Sequence, residues 1–156
     1  MNKPFQRIGS ISNAEVGSKF ELAAQKFFKS QNVTLNLNLK VPVGIGKDKK
    51  DHAFDLGCKE KKILVECKSH KWTASGNVPS AKLTVWNEAM YYFYAAPKEH
   101  QKIMFVLRDY SEKRSKTLAE YYLNKYRHLV TSDVEFWEYD EAHENAVKLE
   151  LKCRME

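Results

Sequence analysis

Between His52 and His70 the chain alternates in a way that leaves few conformational options. His52–Cys58 and Ile63–Ser69 change character at every second residue, and Lys59-Glu60-Lys61-Lys62 separates them. Period-two alternation around a short charged turn predicts two antiparallel strands. The turn lacks the Asn-Gly chemistry of the tightest hairpins, which leaves its geometry open. Symmetric pairing about Glu60 and Lys61 sets Cys58 against Ile63, Leu56 against Val65, and Asp55 against Glu66. Directly opposed Cβ atoms lie about 4.5–5.5 Å apart. Two carboxylates at that range repel unless a positive charge lies between them or one keeps a proton.

Alternation also separates two faces. One carries Ala53, Asp55, Gly57, Leu64, Glu66, Lys68 and His70; the other carries His52, Phe54, Leu56, Cys58, Ile63, Val65 and Cys67 and is the expected core side. Asp55, Glu66 and Lys68 thus gather beside two small residues, Ala53 and Gly57, which would let a ligand approach. Two acidic groups and an ammonium suit a hard divalent cation such as Mg²⁺ that keeps part of its water shell. Such a cation polarises a phosphodiester and acidifies a bound water, with Lys68 orienting that water or neutralising charge on phosphorus. A surface ribbon in which Lys68 neutralises the two acids has the same pattern.

The remaining chain predicts an α/β architecture. Ser12 and Glu15 form a capping-box pattern ahead of Val16, Phe20, Ala23, Ala24 and Phe27, so a helix is expected over residues 13–30. Leu35, Leu37, Leu39, Val41 and Val43 alternate along a strand over residues 34–43. Ser80 is a candidate cap for a second helix lined by Leu83, Trp86, Met90 and Phe93 and ended by Pro97. Lys102–Arg108 reads as a buried strand, and residues 113–128 as a third helix with Leu118, Tyr122, Lys125 and Leu129 on one stripe. Strands at Val134–Tyr139 and Ala146–Lys152 close the order α-β-β-β-α-β-α-β-β around a mixed sheet flanked by helices.

With 156 residues and no linker or repeat, residues 1–156 are expected to form a single domain. Lys and Arg number 26 against 20 Asp and Glu, a net charge of +6 that favours a polyanionic partner. No apolar run approaches the roughly 20 residues that a membrane span requires. The polar start Met1–Arg7 predicts no signal peptide, and three cysteines without CxxC spacing predict reduced thiols in a cytoplasmic protein.

Asp55, ten intervening residues, then Glu66-Cys67-Lys68 resembles the PD-(D/E)XK nuclease superfamily, which includes restriction endonucleases and Holliday-junction resolvases. The order helix, three strands, helix, strand is similar to that superfamily's core over most of the chain. The resemblance implies a restriction endonuclease-like fold and a Mg²⁺-dependent nuclease, Mn²⁺ substituting. It implies an endonuclease that hydrolyses phosphodiester bonds of DNA ahead of RNA, as a homodimer where duplex cutting requires one. Asp55 and Glu66 would bind the metal and Lys68 would assist the attacking water. Many members add an acid from the first helix; Glu21, beside Phe20, is the candidate here. Phe54 stands where the name-giving motif has proline. The alternatives are a non-cleaving nucleic-acid-binding module on the same fold and a structural or interaction domain.

Further nucleic-acid contacts are expected at His70 and Lys71, at Trp72 as a base-stacking ring or a loop anchor, and at Lys47, Lys49 and Lys50. Lys82 is a further phosphate candidate, and Lys113, Arg114 and Lys116 a second basic surface. A zinc site from His52, Cys58, Cys67 and His70 fails on spacing, because His52 and Cys58 lie roughly 20 Å apart along one strand. Gly44-Ile45-Gly46-Lys47 lacks the Walker spacing and is a plain turn.

Overall fold

A computed structural model describes residues 13–151. The proposed cap Ser12 and the last predicted strand residue, Lys152, lie outside the described residues. Helix α1 (Asn13–Ser30) is followed by strands β1 (Asn36–Val43), β2 (Lys50–Cys58) and β3 (Ile63–Lys68), helix α2 (Ser80–Ala95) and strand β4 (Gln101–Leu107). A two-stranded hairpin, β5 (Tyr110–Ser111) and β6 (Lys116–Thr117), leads into α3 (Leu118–Tyr126) and a 3₁₀ turn at Arg127–Leu129. Strands β7 (Val134–Asp140) and β8 (Asn145–Lys148) complete the chain.

Six strands form one mixed sheet in the order β1-β2-β3-β4-β7-β8. Its centre, β3-β4-β7, is parallel, and β1-β2, β2-β3 and β7-β8 are antiparallel. The two parallel crossovers advance in the same direction across the sheet. Crossovers of one hand therefore set α2 and α3 on the same face, leaving the other face to α1. The packing follows this division. Leu83, Trp86, Met90, Phe93, Leu118 and Tyr122 pack on Leu64, Met104, Val106 and Phe136. Phe20, Ala24, Phe27 and Phe28 pack on Val65, Ile103, Phe105 and Leu107 on the opposite face. Among the described residues, no helix is long and apolar enough to cross a membrane.

Two expectations are corrected. Residues 113–117 are not helical: Ser115 has φ 51°, and α3 starts only after Thr117. Thr117 and Glu120 form a reciprocal capping box, each side chain bonded to the other's backbone N–H. Ser80, the other proposed cap, is the first residue of α2, and Pro79 precedes it without a side-chain cap.

The ribbon's faces also differ from strict alternation. Leu56 packs in the α1 layer while Phe54, two residues away, stacks on Phe93 of α2 at 5.6 Å. Leu35, just before β1, and Val41 within it divide between the layers in the same way. The change occurs at Asn38 and Asp55, where Asn38 has φ 54° and the β1–β2 register skips one pair. Both sides of the sheet are covered, so the ribbon has no single core face.

Gly57 is not an opening for a ligand. An added Cβ there would meet Leu39 Cδ2 at 2.5 Å and the Ile63 carbonyl oxygen at 2.7 Å. Gly57→Ala is expected to cost about 1–3 kcal/mol through overpacking. At ~2–4 °C per kcal/mol for a chain of this size, thermal unfolding should read the loss as a lower Tm. An unchanged Tm would contradict the packing.

Candidate active site

The hairpin register is the one the alternation implies. Cys58 pairs with Ile63, Gly57 with Leu64, and Leu56 with Val65. The ladder then stops, one step short of Asp55 and Glu66. At that point the Cys67 N–H donates to Asp55 Oδ2 at 2.8 Å. A side-chain oxygen thus accepts from β3 where a ladder carbonyl would otherwise serve, and the two strands part around it.

Four of the proposed residues meet at this parting. The Asp55 carboxylate stands within hydrogen-bonding reach of both Glu66 and Glu21. Glu21 is delivered by α1, one residue after the buried Phe20. Lys68 Nζ lies 3.5 Å from Glu66 Oε2, and its side chain is 16% exposed. Glu66 itself is buried, at 6% exposure.

The electrostatics follow from this crowding. Burial, then the neighbouring Asp55 charge, pushes the Glu66 carboxyl up to about 8, against the pull of Lys68. Glu21 is raised for the same two reasons in the same order. Among the described residues there is no group of three or more His, Cys, Asp or Glu side chains that could hold a metal ion. Asp55 and Glu66 are the two carboxylates that could hold a cation such as Mg²⁺, which is usually bound by one or two carboxylates with water and substrate oxygens filling the remaining positions.

His52 is a member of this neighbourhood that the alternation assigned to the other face. Its ring stacks on Tyr92 of α2 at 3.7 Å and 11°, and its Nε2 lies 3.6 Å from Glu66 Oε1. Burial lowers its pKa, so it stays neutral more readily than a free imidazole. The signal lay in the face change at Asp55, which no local pattern in the sequence announces.

A cleft of about 620 Å³ adjoins Lys68, between the first turns of α1 and α2 and residues 69–73. Lys71 and Lys82 line it. His70 lines it too, with Nδ1 accepting from the Trp86 indole N–H at 2.8 Å. That bond leaves the proton on Nε2, so a neutral His70 has one donor for a ligand. Burial, then Lys68 and Lys82, pushes its pKa down to about 4.

Trp72 is a loop anchor and not a base platform. It is 9% exposed, its N–H donates to Asp109 Oδ2 at 2.8 Å, and its indole N–H donates to the Asp109 carbonyl at 3.0 Å. Lys47 and Lys49 sit on the β1–β2 tip, which docks at the far end of α2 through the Gly44 N–H and the Ala95 carbonyl. Sixteen residues of helix, about 24 Å, separate that tip from the cleft at the first turn of α2. Lys50 opens β2, two residues before His52.

Glu66 makes stability depend on pH. Its folded pKa of about 8 exceeds the ordinary 4.5, so between those values the folded chain binds more protons than the unfolded one. Its contribution is therefore full below about pH 4.5 and lost as pH rises through 8. Glu66→Gln removes this loss. Without divalent cation, the variant's Tm should gain on wild type between pH 5 and pH 8, by a few degrees at ~2–4 °C per kcal/mol. A gap that stays constant or shrinks over that range would contradict the assignment.

Comparison with protein-family models, with curated proteins and with solved structures finds no match to this chain.

Proposed function

We propose that this chain is a divalent-metal-dependent nuclease that hydrolyses phosphodiester bonds of DNA as an endonuclease. The observation that carries the reading is the meeting of Glu21, Asp55, Glu66 and Lys68 where β2 and β3 part. Lys68 ends β3 there. The motif and the helix-strand order would make the fold a restriction endonuclease-like core of the PD-(D/E)XK superfamily.

Asp55 and Glu66 are the residues that would hold Mg²⁺ or Mn²⁺. Bound there, the cation supplies Lewis acidity toward a phosphoryl oxygen and acidifies a coordinated water. The chain supplies the rest. The Cys67 N–H fixes Asp55, and β3 holds Glu66 and Lys68 on one side of the strand. Lys68 is the group able to stabilise charge developing on phosphorus or to orient the attacking water. Glu21 adds a third carboxylate beside Asp55, able to accept a proton or to hold water. Two such sites in a homodimer would serve the two strands of a duplex.

Incubation with supercoiled, linear and branched DNA and with RNA, in Mg²⁺, Mn²⁺ or EDTA, tests the proposal. Cutting of DNA is expected with either cation and none with EDTA. Glu66→Ala and Lys68→Ala should each lower kcat by about 10²–10³ while the fold is retained. DNA bound without cutting would identify a non-cleaving module instead. Cutting indifferent to both substitutions would place the activity elsewhere.

A further inference from the structure

Two basic surfaces compete for a nucleic-acid backbone, and the structure places them very differently. The β1–β2 tip with Lys47 and Lys49 lies beside the last turn of α2, and Lys49 Nζ is already bonded to the Gly44 carbonyl at 2.6 Å. The β5–β6 hairpin instead follows directly from β4 at the carboxyl edge of the sheet. Lys68 pairs with Val106, and Arg108 continues the strand with its N–H on the Tyr139 carbonyl at 2.8 Å. With about 4.8 Å between strands and about 3.3 Å per residue, the Cα atoms of Lys68 and Arg108 lie roughly 8 Å apart.

The hairpin is fastened to the loop that leaves the site. Asp109 receives both N–H groups of Trp72. Arg114 donates from Nε to the Gly76 carbonyl at 3.0 Å, with its guanidinium 5.1 Å over the Trp72 ring. Arg114 is thus spent on structure. Lys113 is exposed and Lys116 half-buried, and Arg108 is half-exposed, 3.7 Å from Glu138 and over Tyr110. Glu112 is the exposed acid on this hairpin, and Glu120 and Glu150 line a cavity together with Lys116.

We propose that Lys113 and Lys116 form the backbone grip for duplex DNA, continuing the path of phosphates from the cleft along the sheet's carboxyl edge. The grip rests on the nuclease reading of the adjoining site. Cation–phosphate contacts release counterions, so each one steepens the salt dependence of binding by about 0.9 in log–log slope on B-DNA.

Fluorescence anisotropy of a labelled DNA duplex in EDTA, repeated across a salt series, tests the grip without cutting. Lys113→Ala/Lys116→Ala should weaken binding at least tenfold and lower the slope by about 1.8, two contacts at about 0.9 each. Lys113→Gln/Lys116→Gln, which keeps most of the side-chain length, should do the same and guards against misfolding. Lys47→Ala/Lys49→Ala is the rival and should keep the wild-type slope. A lowered slope for the rival pair, or an unchanged slope for the hairpin pair, overturns the grip. Tighter binding of an RNA duplex overturns the choice of DNA. Wild-type cleavage, read in parallel, separates the failures: cutting with an indifferent hairpin removes the grip alone, whereas a wild type that neither binds nor cuts removes the nuclease reading as well.

Discussion

Two carboxylates within hydrogen-bonding reach of one another, one of them buried, organise the local structure around β3. Burying a charge without compensation is costly, so its neighbours must hold it or it must stay protonated. Both answers are visible. The Cys67 N–H holds Asp55, while Lys68 and His52 stand at 3.5 Å and 3.6 Å from the two oxygens of Glu66. The proton that Glu66 retains up to about pH 8 completes the balance. A divalent cation would replace that proton with a stronger partner for both acids.

The rest of the fold keeps this arrangement rigid. The acids arrive on three different elements, α1, β2 and β3, and each is anchored by the core on its own side. Phe20 and Ala24 pin α1 to the sheet next to Glu21. Phe54, stacked on Phe93, turns β2 toward α2 just before Asp55. The loop after β3 is tied at two tryptophans, Trp72 through Asp109 and Trp86 through His70, which fixes the wall of the cleft. A site assembled from several anchored elements suits chemistry that depends on position.

Much of this was legible in the residues. Alternation and a four-residue charged turn specify the register of β2 and β3, because a slip of one residue would invert every side chain. The helical spacing of Phe20, Ala24 and Phe27 specifies α1, and with it the placing of Glu21. What alternation did not disclose is which layer each face enters. A sheet covered on both sides offers apolar positions everywhere, and Asn38 in the left-handed region changes the layer without changing the pattern. His52 joins Glu66 through that change. Residues 113–117, expected to be helical, instead form the turn and second strand of the β5–β6 hairpin, and their charged side chains would suit a solvated helical face equally well. The Thr117–Glu120 capping box, visible in the sequence, marked the true start of α3.

The central claim is that these acids together form a cation site, and direct binding tests it without reference to any substrate. Mn²⁺ titrated into the purified chain and followed by electron paramagnetic resonance should lose its free-ion signal to a site that Glu66→Gln and Asp55→Asn each abolish. At neutral pH, uptake should release protons, since Glu66 must ionise to bind. A free-ion signal undiminished by millimolar wild-type protein, or binding that survives both substitutions, would contradict the account.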